Sequence, residues 1–342
     1  MLVRHHALSR NDLRQCLRIA TGATLGFLSC KVLEFNYGVF FTVLPMLLLG
    51  ILPKMSMHVV RQVMASSVIA ILEVALLAEY LESYPLLMAM VAFLLFLYRF
   101  ACMSRGSLFL FGATGVISLS IMLHFASYPD TDVVELANNN FMGCTFSILI
   151  AYLMMYLFPD VDARAPMAAM PKAPHRMRHE ALMGATIATI SFVVFQVFDL
   201  RDSLAAQATT LLLLFPMHWN GALGYARRRA IGTVLGVSCG VLMQLLLYTW
   251  AHELVLLLPL FWLVTLLFSQ AHVTEAMGSG VGFGAMTTLG TLYGQNLTPN
   301  NDLIYSSFYR ASSILGAIVL TLMACYLVHL LLNRFEATRF GH

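Results

Sequence analysis

The sequence predicts an all-α polytopic membrane protein of about twelve transmembrane helices, built as two parallel six-helix repeats with both termini cytoplasmic. Three observations predict it. Of 342 residues, 59% are hydrophobic and only 11% charged, whereas about a quarter of a soluble domain is charged. Stretches of about twenty apolar residues recur from end to end, each long enough to cross a hydrocarbon core of about 30 Å. Finally, of the 20 Lys and Arg, all but Lys31, Arg201 and Arg310 fall at alternate ends of those stretches. That is the bias expected of cytoplasmic loops, and miscounting one span would scramble it. Arg99 is placed with Arg105 at such an end.

The spans follow in order. The first, 13–33, comes after a polar, basic head and has no clearly placed small-residue cleavage site, so it reads as a span and not a removed leader. The second, 37–53, is apolar around Pro45. The third, 60–81, is apolar except for Glu73. Spans at 84–103 and 107–127 follow, and the sixth, 136–158, is entered through Asn138, Asn139 and Asn140. Residues 159–178 are rich in Pro and Ala, basic and without a periodic apolar face, which marks a cytoplasmic linker. Beyond it lie 179–199, 203–219, 227–250, 252–271, 278–295 and 305–333. Of these, 203–219 and 278–295 are short and polar. The chain thus divides into a first six-helix unit (1–158), the linker (159–178) and a second six-helix unit (179–342).

Ordered matches suggest that the halves are repeats. Gly22-Ala23-Thr24 recurs as Gly184-Ala185-Thr186, Arg61 as Arg228, Gly112 as Gly284 and Gly143 as Gly316, with separations that grow steadily along the chain. Six is even, so both halves start on the same side and are parallel repeats, related by an axis along the membrane normal.

Small residues four apart share a helix face and let backbones pack closely. Gly22 with Gly26, Gly232 with Gly236 and Gly240, Gly278 with Gly282, and Gly280 with Gly284 are so spaced. Such faces serve packing, and a Gly-rich polar span can also line a passage. Glu73 is costly at membrane depth and serves either proton exchange or a hydrogen bond to a neighbouring helix. Its matching position in the second half is Gly240, so the acid stands outside the repeated framework. Arg310 is an outer-vestibule anion contact or a snorkelling end residue. Arg227, Arg228 and Arg229 anchor topology or make an electropositive entrance. Asn139, Gln207, Thr209 and Thr210 suit either a solute or a neighbouring helix.

Other chemistry finds no support. No phosphate-binding G-x-x-x-x-G-K-[ST] occurs, and His252-Glu253 fails as a zinc motif because Leu256 stands at the second His position. His5-His6 is a lone pair. Cys16, Cys30, Cys102, Cys144, Cys239 and Cys325 lie in or at the ends of apolar segments and read as small buried hydrophobes. No catalytic set, metal site, cofactor or nucleic-acid partner is expected.

The run Arg229-Ala-Ile-Gly232-Thr233-Val-Leu-Gly236-Val-Ser-Cys-Gly240 resembles the R-x-x-G-T-x-x-G signature of fusaric-acid-resistance-type inner-membrane proteins, which include the aromatic acid exporters. Arg310 followed by Gly316 resembles the start of that family's sixth helix, and LRIATGATLGF with the span around Pro45 is compatible. In the first half Gln62 stands at the place of Arg229, with Arg61 before it, and Ala65-Ser66 stands at Gly232-Thr233. The large cytoplasmic domain of bigger exporters is absent from this sequence. The plant malate channels are a more distant likeness.

The resemblance implies efflux of small aromatic or organic anions, or drugs, from a bacterial inner membrane, with a periplasmic membrane-fusion adaptor and an outer-membrane channel as partners beside the membrane lipids. The expected pathway runs from Arg61, Arg228 and Arg229 at the inner mouth, past Glu73, Asn139 and Gln207, to Arg310. A passive organic-anion channel and a non-transporting scaffold are the alternatives. An intramembrane enzyme has the least support. Self-association is left open.

Overall fold

The protein is described here from a computed structural model, which describes residues 8–128, 130–162, 172–250, 253–275, 280–296 and 303–340. Residues 163–171 of the linker, His5-His6 and Gly278 lie outside them. Twelve α-helices make up the described chain: α1 Arg10–Val32, α2 Val39–Ile51, α3 Met57–Leu81, α4 Pro85–Ser104, α5 Phe109–Ala126, α6 Val133–Leu157, α7 Pro174–Val197, α8 Leu204–Leu213, α9 Trp219–Leu247, α10 Leu254–Thr274, α11 Val281–Asn296 and α12 Leu303–Leu332. No strand occurs among the described residues. Eight helices (α3 to α7, α9, α10 and α12) are long and apolar enough to cross a membrane, and the chain is a polytopic α-helical membrane protein. The six cysteines carry free thiols, and all except Cys239 are buried.

Local signals account for several helix ends. Ser9 caps α1 by accepting from the Asp12 amide at 3.1 Å, while Asp12 accepts from the Ser9 amide at 3.0 Å, a reciprocal capping box. Pro85 and Pro174 open α4 and α7 at the first turn, where a missing N–H costs nothing. Helix α7 therefore begins ahead of the expected residue 179.

Two helices are shorter than the sequence suggests. Helix α2 has 13 residues and α8 has 10, about 20 and 15 Å at 1.5 Å per residue. Both are almost wholly buried. Because α8 stops at Leu213 and Met217 turns the chain at φ 61°, α9 starts at Trp219. The triplet Arg227–Arg229 therefore lies inside a helix and not ahead of one.

The described chain forms two compact units. The first comprises Met1–Ser56, Met142–Pro166 and Arg227–Ser312. The second comprises Met57–Phe141, Met167–Ala226 and Ser313–His342. Three of their boundaries fall within α6, α9 and α12. In the first unit α1 packs on α2 and α10, and α11 packs on α10 and α2. Pro45 has no N–H for the Phe41 carbonyl, and Gly26 of α1 brings its backbone against that carbonyl. In the second unit α4 packs on α7 and α5, and α5 on α3 and α8.

Candidate functional site

The second unit holds an ion pair inside its apolar helices. Arg99 of α4 donates from Nη2 to Oε2 of Glu73 on α3 at 2.7 Å. The arginine side chain is wholly buried and that of Glu73 is 14% exposed. The pairing follows from helix geometry. A helical side chain leans toward its own N-terminus, and α3 and α4 run in opposite directions about the short turn at 82–84. Glu73, nearer that turn, leans away from it, and Arg99, farther along α4, leans back toward it. Arg99 is thus an interior residue and not a residue of the helix end. Glu73 is not alone either.

Neighbouring groups hold the guanidinium without satisfying it. Its carbon lies 4.7 Å from the Phe111 ring centroid and 5.7 Å from that of Tyr98. A side chain added at Gly115 of α5 would collide with Nη1 and with Oγ of Ser66. A guanidinium has five N–H donors, yet Nε and Nη1 of Arg99 have no hydrogen-bond partner among the described residues.

A polar stripe on α3 continues from this pair. Gln62 accepts from the Phe111 amide at 3.0 Å, one of the first-turn donors of α5 that no carbonyl of its own helix can meet. Ser66 Oγ donates to the Phe111 carbonyl at 2.9 Å. Ser67 donates to Asn140 Oδ1 at 2.7 Å, and Asn140 Nδ2 donates to Ser118 at 3.2 Å. Of the expected pathway residues, Asn139 is buried and donates to the Glu135 carbonyl of its own helix at 2.8 Å. Gln207 is buried and donates to Ser120 Oγ at 2.9 Å. Oδ1 of Asn139 and Oε1 of Gln207 have no partner among the described residues. These two and Glu73 have separate partners and do not form one hydrogen-bonded group. Arg61 and Arg228 are exposed.

In the first unit, Arg229 is buried and donates from Nη1 to the Gly284 carbonyl at 3.1 Å and to Thr287 Oγ1 at 2.5 Å. The glycines that follow it line one seam. Gly232 and Gly236 lie against the α11 backbone at Val281 and Ala285, Gly240 against Leu292, and Gly284 against Arg229 and Gly232. Tyr293 donates to the Gly240 carbonyl at 2.9 Å. Gly22 lies against Leu49, and Gly280 meets the Glu275 side chain. Arg310 is buried in α12. Gly112 lies on the α4 backbone at Arg99 and Met103, and Gly282 lies on the α10 backbone at Phe268 and His272. Gly143 abuts Phe40, whereas nothing approaches Gly316 within 4 Å.

A second polar cluster of the second unit escaped the sequence reading. The C-terminal segment docks on the start of α7. His179 Nδ1 lies 2.7 Å from the Thr338 carbonyl, His329 Nδ1 lies 3.0 Å from His179 Nε2, and Asn333 Nδ2 lies 3.0 Å from His329 Nε2. A carbonyl only accepts, so His179 Nδ1 carries the proton. With neutral rings each next donor is then fixed, and Asn333 Oδ1 is left to accept from the Phe340 amide at 2.9 Å. Beside it, buried Glu180 pairs with Lys172 at 2.6 Å and Arg176 at 3.2 Å. No group of three metal-binding side chains occurs among the described residues.

A family model described as a protein of unknown function (DUF2955) matches residues 15–154, from α1 into α6. No curated protein and no solved structure matches the chain.

Proposed function

We propose that this chain exports small organic anions, aromatic carboxylates among them, across a bacterial inner membrane as a compact relative of the fusaric-acid-resistance-type exporters. The observation that carries the reading is Arg99. It is a wholly buried cation among apolar helices, compensated by one carboxylate and retaining two unfilled donor nitrogens. A charge at membrane depth is costly and marks ion or substrate handling by default. Glu73, partly exposed, is positioned to take a proton, and its protonation releases Arg99 for an anion. Tyr98 and Cys102 of α4 are titratable side chains close to this pair.

In this reading the twelve helices cross twelve times with both termini cytoplasmic, and flanking non-helical residues extend the short buried α2 and α8. Non-helical backbone is tolerated at membrane depth where protein covers it. Two repeats are supported by the packing: α1, α2, α10 and α11 contact one another in the pattern of α7, α8, α4 and α5. A periplasmic adaptor and an outer-membrane channel complete the route.

The test is accumulation of labelled benzoate by inverted membrane vesicles under an imposed pH gradient. Gradient-driven uptake is expected from the native chain and from Glu73→Asp, and none from Glu73→Gln. Uptake that persists without a gradient, with a conductance, would make the chain a channel. No flux, together with stable co-purification of a partner, would make it a scaffold.

A further inference from the structure

The second unit carries a groove that the export pathway does not use. It runs between the end of α4 and the start of α7, has a volume of about 380 Å³, and is lined by Leu97, Ala101, Arg105, Met177, Arg178 and Leu182 among others. Arg105 follows the last residue of α4 and Arg178 lies in the second turn of α7, so each helix brings one arginine to the groove. From Arg105 to Leu97 the apolar wall extends about 12 Å along α4 at 1.5 Å per residue. On the same helix Leu94 and Tyr98 are 60% and 50% exposed, as befits a surface facing hydrocarbon.

The charges here are unspent. The side chains of Arg105 and Arg178 have no ion-pair or hydrogen-bond partner among the described residues, and Glu180, the nearest acid along α7, is buried and held by Lys172 and Arg176. A ligand matching this groove has one anionic group for the paired guanidiniums and an unbranched apolar tail for the trough. Basic pockets between transmembrane helices hold lipid headgroups in this manner. A small carboxylate would leave most of the apolar wall uncovered.

We infer that the α4–α7 groove is a binding site for an acidic glycerophospholipid, with the phosphate against Arg105 and Arg178 and an acyl chain along Leu97, Ala101 and Leu182. Native mass spectrometry of the full-length chain in neutral detergent, titrated with phosphatidylglycerol or phosphatidylcholine, tests it. Phosphatidylglycerol should bind more tightly. Arg105→Gln or Arg178→Gln should weaken it about five-fold, and the double variant about thirty-fold. Ala101→Leu leaves the charge unchanged but narrows the trough, and should weaken it as well. Arg334→Gln, an exposed arginine of the same unit, should not. Equal affinity for the two lipids overturns the site. So does equal weakening by Arg334→Gln, which would indicate diffuse attraction. Displacement of phosphatidylglycerol by benzoate also overturns it, in favour of a small-anion site.

Discussion

The two units meet the same packing problem with different chemistry. Around α9 and α11 the first unit relies on small residues: Gly232 and Gly236 let α9 reach the α11 backbone, and its one buried guanidinium there, Arg229, bonds to neutral oxygens. Around α3 and α5 the second unit places Gln62, Ser66 and an ion pair. It also holds the histidine chain and the buried Glu180. Helices in lipid gain little from hydrophobic association, so packing and interhelical hydrogen bonds hold them. Along the α9–α11 seam the first unit draws on packing, and its ion pair, Arg18 with Asp160 at 2.9 Å, joins α1 to the residues that follow α6. The second unit sets its ion pair between two apolar helices, α3 and α4.

The largest effect that would sharpen this contrast is at the ion pair. Glu73→Ala leaves Arg99 buried without a counter-charge and should cost about 3–5 kcal/mol, seen as a lower unfolding temperature in detergent. Glu73→Gln should cost a similar amount, and adding Arg99→Met should recover most of it. If Glu73→Gln unfolds at the native temperature with Arg99 in place, the pair is not a stability element and the contrast fails.

A smaller effect is expected in the first unit. Gly232→Val forces a branched side chain onto the α11 backbone, and overpacking of this kind costs about 1–3 kcal/mol. No polar substitution should recover it, and it should add to the loss from Glu73→Ala, since sites that share no partner are expected to be additive. Thermal unfolding of both single variants and the double variant checks this.

The smallest concerns the C-terminal segment. His179→Phe removes the donor to Thr338 and the acceptor for His329, a loss of about 1–2 kcal/mol for two neutral hydrogen bonds. Faster amide exchange should be confined to residues near 333–340. Exchange that spreads through α7 would show that the chain holds more than the segment it touches.

Much of the fold was legible in the sequence. Twelve apolar runs became twelve helices, because run length and flanking charge, proline and serine act locally. Helices α2 and α8 came out shorter than their runs, since burial by neighbouring helices, invisible to a hydropathy reading, decides where a short apolar helix stops. The site was half legible. Glu73 stood out as an acid in an apolar run, but Arg99 read as an end residue because it fits the positive-inside pattern. The available signal was two opposite charges in consecutive apolar runs, each set to lean toward the other. Gly280, Gly282 and Gly284 look alike in sequence, and only contact with α10 tells them apart, Gly282 being the one on its backbone. Arg229 was expected at an entrance and lies in a helix interior, since the early stop of α8 moved the start of α9.

The composition of the units bears on how the protein is made. A ribosome delivers α1 and α2 long before α9, α10 and α11, with which they form a unit, and delivers α3, α4 and α5 before α7 and α8. Phe27 of α1 waits for its stacking partner Phe261 at 5.1 Å, and Thr21 waits for the Trp262 indole at 3.0 Å. Neither half of the chain contains a finished unit. A nascent protein halted at the linker therefore presents to the bilayer helix faces whose partners have yet to be made.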